Sequence, residues 1–323
     1  MAATDKPKAQ LYAPPVTTAK AQRMSLEKSQ RLWGWIFLSP WVIGFTAFTL
    51  IPMVASLIFT FTDLKLADPS ATQFVGLDNY RKLLNDPDLK ISLWVTLRYA
   101  LVALPLSVII PLSMATLLNS KNLWAKRLFR TLFYMPYMIP LISVIYIFSG
   151  YLNANSGWLN RFMDSVLGIQ GPDWLYDQFW IYPALFIIGI WTTGNAMLTL
   201  LASMQTVPTE LYEAARVDGA SPPTIFRKIT LPMISPVIFY NLVLSIIGLF
   251  RYFEVPYVIK NGSGDPGNAT LFFNIHFFRT AFRFQDMGYG ATLAWLLFVI
   301  AMIVTTFVFV TSQYWVFYSG DRD

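Results

Sequence analysis

Long apolar runs alternate with shorter polar segments along the whole chain. A bilayer core about 30 Å thick needs roughly 20 mostly apolar residues in a helix. Six stretches meet that length: about Leu32 to Phe61, Leu93 to Leu118, Leu132 to Leu152, Phe179 to Met204, Pro236 to Ile259, and Gly288 to Val310. The first is longer than a crossing needs and contains Gly34, Pro40, Gly44 and Pro52, which predicts a tilt or kink. It also exceeds the h-region of a signal peptide, roughly 7–15 residues. Residues 1–31 are polar with Pro14-Pro15 and read as a cytoplasmic tail; 312–323 read as a second one. The pattern predicts an all-α polytopic membrane protein, with one transmembrane domain over 32–311 surrounded by lipid.

Composition narrows the chemistry. Charged residues make up 13% of the 323, about half the share usual in soluble domains. There is no cysteine, which excludes disulfides, thiolate metal sites and cysteine nucleophiles. The single histidine, His276, excludes a multi-histidine metal site, and its neighbours point to a surface or packing role. The net charge of +6 would suit a nucleic-acid partner, but its placement argues otherwise. With a cytoplasmic N-terminus, the inner segments carry 14 basic residues and the outer ones 8. That is the positive-inside bias of membrane proteins. The basic excess is a topology signal, and no nucleic-acid partner is expected.

The outer segments carry patterns of their own. Residues 62–92 contain Phe74-Val75-Gly76-Leu77-Asp78-Asn79-Tyr80, and 153–178 contain an amphipathic piece, Trp158 to Met163, bounded by Gly157 and Gly168. Rings at headgroup level suit membrane anchoring; the same loops could dock an external partner.

The segment at about 205–235 is the most patterned polar insert. Pro208-Thr209 suits a helix start, and Glu210 and Glu213 lie near its positive end. Gly219 can end that helix in the left-handed conformation. Ser221-Pro222 suits the start of a second, and Leu231-Pro232 is expected to break it before the fifth span.

Here the chain resembles a known family. Glu213-Ala214-Ala215, three residues, Gly219, nine residues, then Ile229-x-Leu231-Pro232 match the EAA signature of ABC importer permeases. Leu38-Ser39-Pro40-Trp41, Ile51-Pro52, the Phe74 to Tyr80 run, Arg130 to Pro136 with Ile139-Pro140, Phe253 to Val258 and Gly288-Tyr289-Gly290 are similar to segments of carbohydrate importers of the maltose and glycerol-3-phosphate type. Only residues 1–31 lie outside the match. That family usually has Asp where Glu254 stands, and Gly-Gly-Pro where this chain reads Gly262 to Gly267.

The resemblance implies the ABC type I importer permease fold in a bacterial inner membrane, with both termini cytoplasmic. It implies a second, homologous permease as heterodimer partner, an extracytoplasmic solute-binding protein, and two ATPase subunits that carry ATP and Mg. This chain has no G-x-x-x-x-G-K-[ST] phosphate loop and is expected to bind no cofactor itself. Glu213, Ala214, Ala215, Gly219, Ile229, Leu231 and Pro232 would couple it to the ATPases. In these relatives, sugar contacts come from the spans flanking the EAA loop. Trp191, Thr192, Asn195 and Thr199 fall on one arc of span four, and Asn241, Ser245, Gly248 and Tyr252 share a stripe of span five. Aromatic rings with amides and hydroxyls suit a neutral mono- or oligosaccharide, although the same residue types also mark helix–helix packing.

Arg251 and Glu254 are oppositely charged and one turn apart within a span. Intramembrane charges point to function, here a gate or an ion-coupled secondary transporter as the alternative. Helical spacing would put Glu254 opposite Asn241 and Tyr252.

Overall fold

A computed structural model describes residues 26–120 and 122–317. Most of the expected 1–31 tail, and 318–323, lie outside the described residues. Helices dominate: α1 (Leu26–Phe45), α2 (Ile51–Phe59), α3 (Asp78–Asn85), α4 (Pro87–Asn119), α5 (Lys126–Tyr134), α6 (Leu141–Tyr151), α7 (Trp158–Leu167), α8 (Ile181–Trp191), α9 (Gly194–Gln205), α10 (Thr209–Val217), α11 (Pro222–Ile225), α12 (Leu231–Phe250), α13 (Glu254–Lys260), α14 (Phe273–Phe278) and α15 (Met287–Ser312). Extended pairing among the described residues is limited to the isolated bridges Thr62↔Phe74 and Lys65↔Asp286.

The chain divides into two units, one ending at Ala55 and the other beginning at Ser56. The first contains α1, which starts at Leu26, six residues before the apolar run, and passes through a widened turn at Thr46–Leu50 into α2. Its large side chains are exposed, as suits a helix whose solvent is lipid.

The second unit is built on α4. Pro87 opens this helix, and the Asp86 carboxylate caps it by accepting from the N–H groups of Asp88 (2.9 Å) and Leu89 (3.2 Å). At 33 residues it is about 50 Å long, enough to join both ends of the unit. Near its start, α4 meets α6, α8, α13 and α14 around Val95, Tyr99, Ile145, Leu185, Val255 and Phe272. Near its end, Ala115 and Leu118 meet Met197, Leu201 and Met204 of α9 and Ile234 of α12.

Four helical runs are long and apolar enough to cross a membrane: Lys28–Phe59, Pro87–Asn119, Pro222–Lys260 and Met287–Ser312. Two bent pairs bring the number to six if each counts as one span. The expected third span is one of them: Lys126–Met138 and Leu141–Tyr151 diverge by 101° at Ile139-Pro140. A residue before proline is pushed into extended backbone, and Ile139 takes φ −79°, ψ 133°. The fourth bends by 51° between Trp191 and Gly194. There the Thr192 and Thr193 hydroxyls donate to Gly189 O and Ile190 O, closing a local turn in place of the regular ladder. Gly194 permits the bend, because a Cβ on it would lie 2.7 Å from Phe133 O.

Candidate cargo path and coupling segment

The fifth span is not one uninterrupted helix. It stops at Phe250 and resumes at Glu254, with Arg251, Tyr252 and Phe253 between. Pro256 explains the interruption: it lacks the N–H that would bond Tyr252 O, and its ring would crowd that carbonyl. Irregular backbone at membrane depth is tolerated where it lines a cavity. A cavity of about 500 Å³ lies here, walled by Leu141, Ile188, Gly189, Thr192, Leu244, Ile247, Gly248, Arg251, Tyr252, Phe253, Glu254 and Val255.

This geometry corrects the straight-helix reading of Arg251 and Glu254. The break turns Glu254 onto the same cavity as Tyr252, and no ion pair joins it to Arg251 among the described residues. Of the residues singled out in sequence, Thr192, Gly248, Arg251, Tyr252 and Glu254 share this wall. The others do not. Asn241 is buried and spends its amide on Val237 O (2.8 Å) and Thr199 Oγ1 (3.2 Å), a link between α12 and α9. Trp191 stands edge-on to Phe148 at 5.4 Å. Asn195 is exposed on α9, and Ser245 is half-buried on α12. The bend in span four takes Thr192 and Asn195 off their common arc.

Tyr99 of α4 is a neighbour that helical spacing on spans four and five could not supply. Its ring stacks between Phe186 (5.0 Å) and Tyr252 (4.8 Å), and Phe272 closes the group edge-on. The Tyr252 hydroxyl is buried there beside Tyr99. A tyrosine in the middle of an apolar run was the available signal. Tyr99 also lines a smaller cavity of about 120 Å³ with Ser107, Phe186 and Thr193.

At the other end of α4 lies the segment that the sequence singled out as a candidate for coupling. α10 ends in a Schellman motif: Ala220 N–H donates to Ala215 O (2.9 Å), Gly219 N–H to Arg216 O (3.0 Å), and Gly219 takes φ +74°. A Cβ on Gly219 would meet nothing within 4 Å, so conformation alone requires glycine there. Glu213 and Ala214 face outward, and Val217 is 88% exposed. The inward side is anchored. Tyr212, Phe226 and Ile229 pack on the core around Met204 and Ile234, and the Tyr212 hydroxyl lies 3.1 Å from Thr230 Oγ1. Leu231-Pro232 is not the expected break. A widened turn at Phe226–Thr230, in which Leu231 N–H reaches Phe226 O, absorbs the missing proline donor, and the helix runs into α12.

The segments near the start of α4 form a polar latch. Asn79 donates to Thr60 O (3.0 Å) and Thr62 O (2.8 Å), and Gly288 N–H donates to Leu64 O (3.0 Å). Asp86 Oδ2 accepts from the Tyr289 hydroxyl (2.6 Å) and lies 2.9 Å from His276 Nε2. His276 Nδ1 is buried with no hydrogen-bond partner among the described residues. Burial raises the Asp86 pKa, but the Tyr289 hydrogen bond, His276 and the Leu89 N–H lower it more, leaving it below the ordinary carboxylate value of 3.8. A depressed carboxylate pKa gives stability that is present above the unfolded value and lost as pH falls through the folded one. Thermal unfolding of the purified chain should therefore show a loss below about pH 4. Asp86→Asn should be less stable at pH 7 by about 1–2 kcal/mol and show a smaller acid loss in that window. An unchanged acid profile would remove Asp86 from this role.

Residues 99–317 match the family described as binding-protein-dependent transport system inner membrane component. The chain belongs to this family. Among curated relatives, a probable ABC transporter permease protein, YesP of Bacillus subtilis, is 36% identical over 92% of this chain and 95% of its own. The arabinooligosaccharides transport system permease protein AraP of the same species is 32% identical, covering 90% of this chain and 92% of its own. The trehalose/maltose transport system permease protein MalF of Thermococcus litoralis is 34% identical over 72% of this chain and 77% of its own. A solved bacterial alginate ABC transporter, in complex with a pentasaccharide-bound periplasmic protein, shares the fold, with TM-score 0.78 at 21% identity over 89% of this chain and 96% of that one.

Proposed function

We propose that this chain is the membrane-spanning subunit of an ATP-driven importer of saccharides. In this reading both termini are cytoplasmic, α10 docks on separate ATPase subunits, a second permease completes the path, and an external binding protein delivers the cargo. The observation that carries the cargo reading is the cavity of about 500 Å³ at the break in span five. It offers ring faces for C–H groups and hydroxyl, guanidinium and carboxylate groups for sugar hydroxyls. Arg251 and Glu254 balance in charge, which suits a neutral saccharide. Relatives named for arabinooligosaccharides, trehalose/maltose and lactose support the class.

The cavity can be narrowed without disturbing the fold, because a Cβ on Gly248 would meet nothing within 4 Å. Gly248→Leu should cut uptake by more than about tenfold, a loss of roughly 1.4 kcal/mol or more in transition-state stabilisation. Gly150→Leu serves as control: it lies outside this cavity, and its Cβ site is equally open. Equal uptake in both variants would place the path elsewhere.

A further inference from the structure

The connection between the third and fourth spans holds one helix, α7, whose surface divides three ways. Leu159 and Met163 pack on the core of the larger unit. Asn160, buried beside them, donates its amide to Ala154 O (2.9 Å) and Pro172 O (3.0 Å) and accepts from Trp174 Nε1 (2.7 Å). These bonds fix the rotation of the helix. At about 100° per residue, Trp158, Phe162 and Val166 form a second stripe, exposed by 74%, 57% and 61%. Arg161 and Asp164 form a third, also exposed.

A helix between protein and water alone has two kinds of face. The second stripe calls for a third, apolar surrounding. Its continuity with a membrane span identifies that surrounding. α6 ends at Tyr151, seven residues before Trp158, and its Tyr146, Ile147 and Tyr151 are exposed up to that point. A soluble partner arriving from water would meet the polar stripe instead.

We propose that α7 lies in the plane of the bilayer surface, on the side opposite the coupling segment. Trp158, Phe162 and Val166 enter the boundary between headgroups and acyl chains, and Arg161 sits among the phosphates. In-plane helices bury such a face by roughly 5–10 Å, and tryptophan favours that depth. The helix thereby fixes the level at which the third and fourth spans leave the membrane.

The absence of native cysteine permits a direct test. Trp158→Cys, Phe162→Cys and Val166→Cys, with Arg161→Cys and Asp164→Cys, are each given a nitroxide label. The full chain, with its co-purifying subunits, is reconstituted in phosphatidylethanolamine–phosphatidylglycerol liposomes. Relaxation by oxygen, which concentrates in lipid, is compared with relaxation by a water-soluble nickel chelate. Oxygen should dominate at the first three positions and nickel at the other two. Equal ratios on the two stripes would overturn the proposal. So would exclusion of both agents from the first stripe, which would mean that protein covers it. If Trp158→Cys fails to fold, Phe162→Cys and Val166→Cys carry the same comparison.

Discussion

Gly219→Val is expected to reduce uptake by more than about tenfold while the chain still inserts and purifies. Gly219 holds φ +74°, and a left-handed backbone costs an L-residue roughly 1–2 kcal/mol, more for a branched side chain. The open space around its Cβ position means that no core contact is disturbed. The strain falls on the Schellman bonds to Ala215 O and Arg216 O, which set the angle between α10 and the following helix. If α10 transmits ATPase movement, that angle governs coupling. Glu213→Lys should act on the same step without backbone strain, since Glu213 is exposed and touches no core. Uptake in membrane vesicles and chain abundance on the same samples decide the matter. Wild-type uptake in both variants would remove α10 from the mechanism.

Gly288→Val is the substitution with the largest expected effect on folding. A Cβ on Gly288 would collide with the backbone carbonyl of Thr62, and carbonyl oxygens have no rotamer by which to move aside. Either α15 shifts outward or the 62–64 segment does. Each course breaks the Gly288 N–H to Leu64 O bond and strains the neighbouring Tyr289–Asp86 contact. Overpacking of this kind costs about 1–3 kcal/mol, and the orphaned carbonyl adds about as much again. The folded fraction recovered after detergent extraction should fall sharply, while Gly150→Val, at an open position, should behave as wild type. Normal recovery of Gly288→Val would show that the latch region is softer than its close contacts suggest.

Hydropathy located all six apolar stretches because bilayer thickness imposes a length on each. It could not give backbone direction. The third stretch reads as one run whether or not Pro140 turns it by 101°, since a bend leaves apolar content unchanged. The proline itself was the clue. Pro256 is likewise legible as a helix breaker, and a break ahead of it is what carries Glu254 to the Tyr252 side. Leu231-Pro232 shows the opposite error, because a widened turn can carry a proline through a helix.

Site residues divided by the range of interaction that defines them. Gly219 was legible because a local conformation demands glycine. The Asp86–His276–Tyr289 latch was not, because its members are 190 and 203 residues apart and meet only after the spans assemble. Asn241 is ambiguous for the same reason: an amide on an inner stripe fits a sugar and a neighbouring Thr199 equally well. The motif residues Asn79, Gly288 and Tyr289 were visible as a resemblance, and their physical meaning as clamps emerged from the fold.

Affinity purification of the tagged full-length chain from its own membranes decides whether it serves as the permease of an ATP-driven importer. An ATPase subunit and a second permease should be retained, and Glu213→Lys should lose the ATPase while keeping the permease. Purification of the wild-type chain with no ATPase bound would exclude that role.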